Sequence, residues 1–244
     1  MILSLEAIEK KNFEGKLKMW AKEVVEYYHS MAIEGKIDRT FYAFQSEPKE
    51  KPECLILGFN PYGECSYADQ YKNEKWEIPN GMTPEVFIHQ NPWYYGGKHY
   101  DEKEKWNILN KFDVMLATNT NLKELMSDMV YMNILYFNSK DFSEFKSKFP
   151  KYWKEAYTKS IDYTKFLIQN IIKPKIVICL GIDNCFKKFI PANSEVKNIL
   201  PKYPNAAHKT IINGIPVYGI IHPSYRMTNE LREEIGEAIE KDLK

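Results

Sequence analysis

Four short apolar runs limit how this chain can fold: "CLILG" at 54–58, "VYMNILYF" at 130–137, "KIVICLG" at 175–181 and "TIINGIPVYGII" at 210–221. A strand covered on one face alternates apolar and polar residues, whereas one covered on both faces is apolar throughout, which is the habit of parallel sheets between helices. The stretches between the runs have helical period. Leu17, Trp20, Ala21, Val24, Val25 and Tyr28 recur on one face and predict a helix from about Glu14 to Glu34. Tyr157, Ile161, Ile168 and Ile172 predict another, stopped at Pro174, whose ring cannot continue a helix. "EKWNILNKFDVMLA" at 104–117 has the same period, and "IDNCFKKFI" reads as a helix entered through Gly181. The Asn213-Gly214 dipeptide between apolar runs predicts a hairpin feeding a last strand that ends at His222. After it, Thr228 is placed to cap a C-terminal helix with Leu231, Ile235, Ile239 and Leu243 on one face. Strands alternating with helices make this an α/β chain, a three-layer α/β/α sandwich with a mainly parallel central sheet, in one domain over residues 1–244.

Charge excludes little and points nowhere. The net formal charge is +1, so no global basic field exists to draw in a polyanion, and a nucleic-acid partner would need a local patch. The four cysteines, Cys54, Cys65, Cys179 and Cys185, form no Cys-x-x-Cys pair and imply free thiols in a reducing compartment rather than a metal centre. The N-terminal stretch mixes lysines and acids into its apolar residues, unlike a secretory leader, and no run is long enough to span a bilayer. A soluble, cytoplasmic monomer is expected.

In open α/β sheets, ligands bind beyond the carboxyl ends of the strands. Three predicted strands put polar residues there: "GFNPYG" (58–63) after the first, Asn133 within the second, and "HPSYR" (222–226) after the last. The stretch from Glu64 to Gly97, rich in aromatics, proline and asparagine, is too long for a plain connection; such stretches are usually functional or disordered, and its many aromatics argue against disorder.

"GFNPYG" and "HPSYR" resemble the two signature motifs of the uracil-DNA glycosylase superfamily, whose best-known members carry Gly-Gln-Asp-Pro-Tyr-His in the first. This chain has asparagine at the third place, as the mismatch-specific and single-strand-selective members do, and tyrosine after the proline, as the best-known members do. "PKIVICLG" is similar to the superfamily's third-strand segment, and "NPWYYGGKHY" is faintly similar to its Pro-Phe-x-Gly-x-x-Gly stretch; the resemblance spans Cys54 to Arg226.

The resemblance implies a uracil-DNA glycosylase-like fold and a monofunctional DNA N-glycosylase that removes uracil or a related deaminated base in base excision repair. It makes Asn60 and His222 the catalytic pair. His222 would donate a hydrogen bond to the departing base anion, and Asn60 would hold the attacking water or contact the base, without the proton-accepting ability of aspartate. Asn133 would read the base edge, and Gly58, Phe59, Pro61 and Tyr62 would line the base pocket, with Tyr62 set against the methyl of thymine. Trp93, with Trp76 next, would stack on the base. Ser224, Tyr225 and Arg226 would contact DNA, one of them filling the space left by the flipped nucleotide. The resemblance implies no cofactor, since the cysteine spacings of the iron-sulfur members are absent. "HPSYRM" lacks the second proline of many members, and Gly63 stands where the best-known have histidine. The alternative reading is a catalytically inactive module of the same fold that binds nucleic acid or a nucleotide.

Overall fold

The computed structural model of the protein describes residues 11–72, 81–89, 111, 114–115 and 119–244. Helix α1 spans Phe13–Ile33, begun by Asn12, whose side chain accepts from the Gly15 N–H. Strand β1 is Cys54–Gly58, followed by the short helices α2 (Tyr67–Lys72) and α3 (Pro84–His89). Helix α4 (Thr120–Ser127) leads into β2 (Met129–Asn133), and α5 (Phe142–Lys148) into α6 (Trp153–Leu167). Helix α6 widens into a π-helical turn over Ile168–Ile172 and stops at Lys173, which is left-handed with φ 54°. Strand β3 is Ile176–Leu180; a second π-helical turn, Ile182–Phe186, runs into α7 (Lys187–Phe189). The edge strand β4 (Lys197–Asn198), the hairpin β5 (Ala207–Ile212) and β6 (Ile215–Ile220), and helix α8 (Asn229–Leu243) complete the chain.

The six strands form one sheet in the order β2-β1-β3-β6-β5-β4. The first four are parallel, β5 pairs antiparallel with β6, and β4 pairs antiparallel with β5. The architecture is therefore mixed α/β with a mostly parallel sheet. Alternate residues of each strand enter opposite cores. Leu55, Leu57, Val130, Met132, Val177 and Val217 pack with α1 and α6. Cys54, Ile56, Tyr131, Ile178, Tyr218 and Ile220 pack with Ile235 and Ile239 of α8 and Leu122 of α4. Period two in the strand thus meets period 3.6 in the helices on both faces. Trp20 of α1 is fully buried among Phe44, Phe87 and Tyr136, and its indole N–H reaches the Tyr163 carbonyl at 3.2 Å. Full burial of a phenylalanine such as Phe44 or Phe87 contributes about 1.5–3 kcal/mol.

Two expectations from the sequence need correction. The run 130–137 is a strand only to Asn133, which ends β2 rather than lying inside it. Residues 134–137 are buried without being strand, because α1 and α6 cover them from the side and burial alone requires apolar side chains. The last strand likewise ends at Ile220, two residues before His222. A segment the sequence reading passed over, residues 41–45, lies along the outer edge of β2. The Asn133 N–H donates to the Ala43 carbonyl at 2.8 Å and the Gln45 N–H to the Tyr131 carbonyl at 2.8 Å, which closes an edge otherwise open to pairing with another chain.

Candidate active site at the carboxyl end of the sheet

The chain leaves β1 toward β2 on one side and later places β3 on the other, so strand order reverses between β1 and β3. In open α/β sheets a reversal of this kind marks the crevice, beyond the carboxyl ends of the strands, in which ligands bind. A glycine stands at each strand exit. Gly58 closes β1, and Gly181 follows β3 with φ 102°, a backbone state that a side chain would strain.

Gly58 stands beside Asn133 in the β1–β2 register. A Cβ on Gly58 would come within 2.8 Å of Asn133 Oδ1 and 3.1 Å of the Tyr131 hydroxyl, so glycine is required for these two side chains to lie over it. Asn133 is only 2% exposed, and its Nδ2 has no hydrogen-bond partner. A buried donor without an acceptor costs about 1–3 kcal/mol, a cost that a ligand carbonyl at that point would remove. The Tyr131 hydroxyl, which sequence reasoning missed, stays a neutral phenol because burial drives its pKa up. A strand residue two before Asn133 shares its face, and that parity was the available signal.

Asn60 is braced. Its Nδ2 donates to the Pro61 carbonyl at 2.8 Å, the Ser139 carbonyl at 2.7 Å and Ser139 Oγ at 3.0 Å. Carbonyls only accept, so the amide orientation is settled and the acceptor Oδ1 is left over. Buried Ser139 returns a bond, its N–H donating to the Pro61 carbonyl at 3.1 Å. Ser139 was also missed; the polar pair Asn138-Ser139 directly after an apolar run was its trace in the sequence. The far side of this loop is tied to residues 38–40. The Thr40 N–H donates to the Cys65 carbonyl at 3.0 Å, Asp38 accepts from Ser66 Oγ at 2.7 Å and from the Ala68 N–H at 2.9 Å, and buried Arg39 pairs with Glu144 at 3.0 Å and Glu64 at 3.7 Å.

His222 is held by its own turn. The Ser224 N–H lies 3.3 Å from Nδ1, Ser224 Oγ lies 2.6 Å from it, and the Tyr225 N–H donates to the His222 carbonyl at 2.8 Å. A backbone N–H can only donate, so Nδ1 is the acceptor and the proton of the neutral ring sits on Nε2. Burial first, and the positive charge of Lys111 second, lower the His222 pKa below its ordinary value, which keeps the ring neutral near pH 7.

The remaining predicted residues are placed differently. Pro61 is buried at the base of the loop. The Phe59 ring points to the opposite core, 5.1 Å from Phe142 and 6.0 Å from Tyr157, so only its backbone borders the crevice. Tyr62 is 78% exposed and does not wall an enclosed pocket. Ser224, Tyr225 and Arg226 are on the surface. Trp93 and Trp76 lie outside the described residues. Cys185 donates from Sγ to the Leu57 carbonyl at 3.2 Å beneath the crevice. Asn133 and Gly58 are thus in contact, whereas β3 separates the β1 loop from His222, which puts them two strand spacings apart, about 10 Å.

The described residues contain no group of His, Cys, Asp or Glu arranged to hold a metal ion, and no helix among them is long and apolar enough to cross a membrane. No protein family matches the chain by its sequence profile, and no curated protein matches it.

Proposed function

We propose that this crevice hydrolyses the N-glycosidic bond of uracil or a related deaminated base in DNA, in the manner of a monofunctional uracil-DNA glycosylase-like enzyme. The observation that carries the reading is that the carboxyl end of one sheet holds both a neutral imidazole whose Nε2 carries the proton and a buried amide donor that has no acceptor. Breaking the bond between the sugar C1′ and the base nitrogen sends the electron pair to the base and leaves an oxocarbenium-like sugar. The charge on the base spreads to its carbonyl oxygens, where a fixed N–H donor stabilises it more than it stabilises the neutral base. His222 Nε2–H is that donor. Asn133 Nδ2 supplies a donor for a second carbonyl, and its Oδ1 an acceptor for the ring N–H. Cytosine, with an amino group where uracil has the carbonyl, meets that amide donor to donor. Asn60 Oδ1 accepts a hydrogen bond from the water that adds to C1′, whose proton leaves to solvent. The amide orients this water without deprotonating it, so a slow enzyme is expected. The target base must first leave the stack to reach the crevice.

The amide at position 60 also favours a second reading, a module of the same architecture that binds nucleic acid or nucleotide without cutting it. One experiment separates the two: alkali-revealed strand breaks in a labelled oligonucleotide bearing a single uracil, unpaired or opposite guanine or adenine, for wild type, Asn60→Ala and His222→Ala. Breaks lost in His222→Ala and reduced in Asn60→Ala support the glycosylase. Binding without breaks on uracil, hypoxanthine or xanthine supports the module.

A further inference from the structure

Most aromatic rings described around the crevice are buried, ring-stacked or hydrogen-bonded; Tyr62 and Tyr225 are not. They are 78% and 70% exposed, more than any other large apolar or aromatic side chain described, and neither makes a ring contact or a side-chain hydrogen bond. Tyr62 follows Asn60 by two residues on the loop leaving β1, and Tyr225 follows His222 by three on the loop leaving β6. Both rings sit on anchored backbone. Tyr62 follows buried Pro61, whose carbonyl accepts from Ser139 and Asn60, and the Tyr225 N–H closes a turn onto His222 beside buried Pro223. A tyrosine has only two side-chain torsions, so on a fixed backbone it offers a large flat surface at low entropic cost.

We propose that Tyr62 and Tyr225 form a two-sided rim on which the unpaired bases flanking the target stack, so that the strand this crevice takes is single-stranded nucleic acid. The inference rests on the glycosylase reading for the identity of the crevice. Exposed rings of this kind can stack only on bases that are not already paired and stacked in a duplex, and such stacking tolerates any base sequence because every base has a π-face. Exposed Arg226, next to Tyr225, supplies one phosphate contact at the rim. The polar groups that select one base lie inside the crevice and the rings lie outside, so base choice and strand choice fall to different residues.

The test is fluorescence anisotropy with a short fluorescein-labelled oligonucleotide, as a single strand and as its duplex, at one fixed salt concentration, on the full chain. Wild type is expected to bind the single strand more tightly than the duplex. Tyr62→Ala and Tyr225→Ala are each expected to weaken single-strand binding about tenfold, with Tyr→Phe at either position retaining it. Both positions are on the surface, so the variants should unfold at the wild-type temperature, which calorimetry checks. Equal affinity of the alanine variants and wild type for the single strand overturns the proposal, as does a duplex preference or no binding to either probe. The glycosylase reading fails separately: single-strand binding through the tyrosines with no base excision by wild type leaves the rim standing and removes the chemistry.

Discussion

Asn60→Asp tests the site most sharply, because the best-known uracil-DNA glycosylases, whose first motif this loop resembles, carry aspartate there and the simple expectation is a gain of activity. The geometry predicts a loss. The amide Nδ2 donates at 2.8 Å and 2.7 Å to two carbonyls and at 3.0 Å to the Ser139 hydroxyl. An ionised carboxylate puts an acceptor at the same place. The hydroxyl can turn to donate, and the Pro61 carbonyl keeps the Ser139 N–H, but the carbonyl of buried Ser139 loses its donor and faces a negative charge. One orphaned buried acceptor plus the repulsion amounts to about 2–4 kcal/mol of stability near pH 8. A protonated carboxyl can still donate to one carbonyl, so the folded protein favours that form and raises the pKa of the introduced group above its unfolded value of about 3.9. The folded state then binds more protons than the unfolded one, so the loss grows as pH rises through that window and is smallest below about pH 4. Urea unfolding of wild type, Asn60→Asp and Asn60→Ala at the two ends of this range measures it. An aspartate variant as stable as wild type near pH 8, or one that excises uracil faster, refutes the assignment of Asn60 as a brace whose amide hydrogens are all engaged.

In helix α8, Gly236→Ala should gain about 1 kcal/mol from helix propensity, yet the added Cβ would lie 2.1 Å from the Met115 carbonyl oxygen and 2.6 Å from Asn119 Nδ2. Overpacking against backbone outweighs propensity, so the variant should melt below wild type, and a higher melting temperature would mean that α8 does not pack on Met115. For His222, a pKa lowered by burial and by Lys111 predicts excision that is level above about pH 7 and falls as the ring protonates below its ordinary value of about 6.5. Its contribution to stability follows the same sign, present above the unfolded pKa and lost as pH falls through the folded one; an NMR titration that finds the ring raised above its ordinary value, and so protonated near pH 7, would remove the neutral donor from the proposed chemistry.

Much of the frame was legible in the residues because its signals are local. The periodic apolar face of 17–28 became α1, the unbroken runs at 54–58 and 176–180 became central strands, and Asn213 and Gly214 adopt the positive φ values, 50° and 81°, of the predicted hairpin turn. Thr228 caps α8 through its side chain as expected, accepting from the Leu231 N–H at 3.2 Å. The strand end at Asn133 was not legible, because an apolar run reports burial and carries no mark of where backbone pairing stops.

The site divides in the same way. Which residue types gather at the carboxyl end of the sheet followed from sequence alone, since strand exits and their polar residues are adjacent along the chain. What each side chain can do was decided by tertiary contacts. Ser139, distant in sequence, turns Asn60 from a free amide into a braced one with only its acceptor open. The absence of a side chain at Gly58 leaves room for Asn133 and Tyr131, and the turn at Ser224 sets which nitrogen of His222 holds the proton. Phe59 and Tyr62, three residues apart in one motif, part company, one ring entering the opposite core and the other facing solvent. Local sequence determines where a strand or helix forms because those interactions span a few residues. The direction of a donor, the burial of a ring and the pKa of an imidazole depend on groups brought near only by folding.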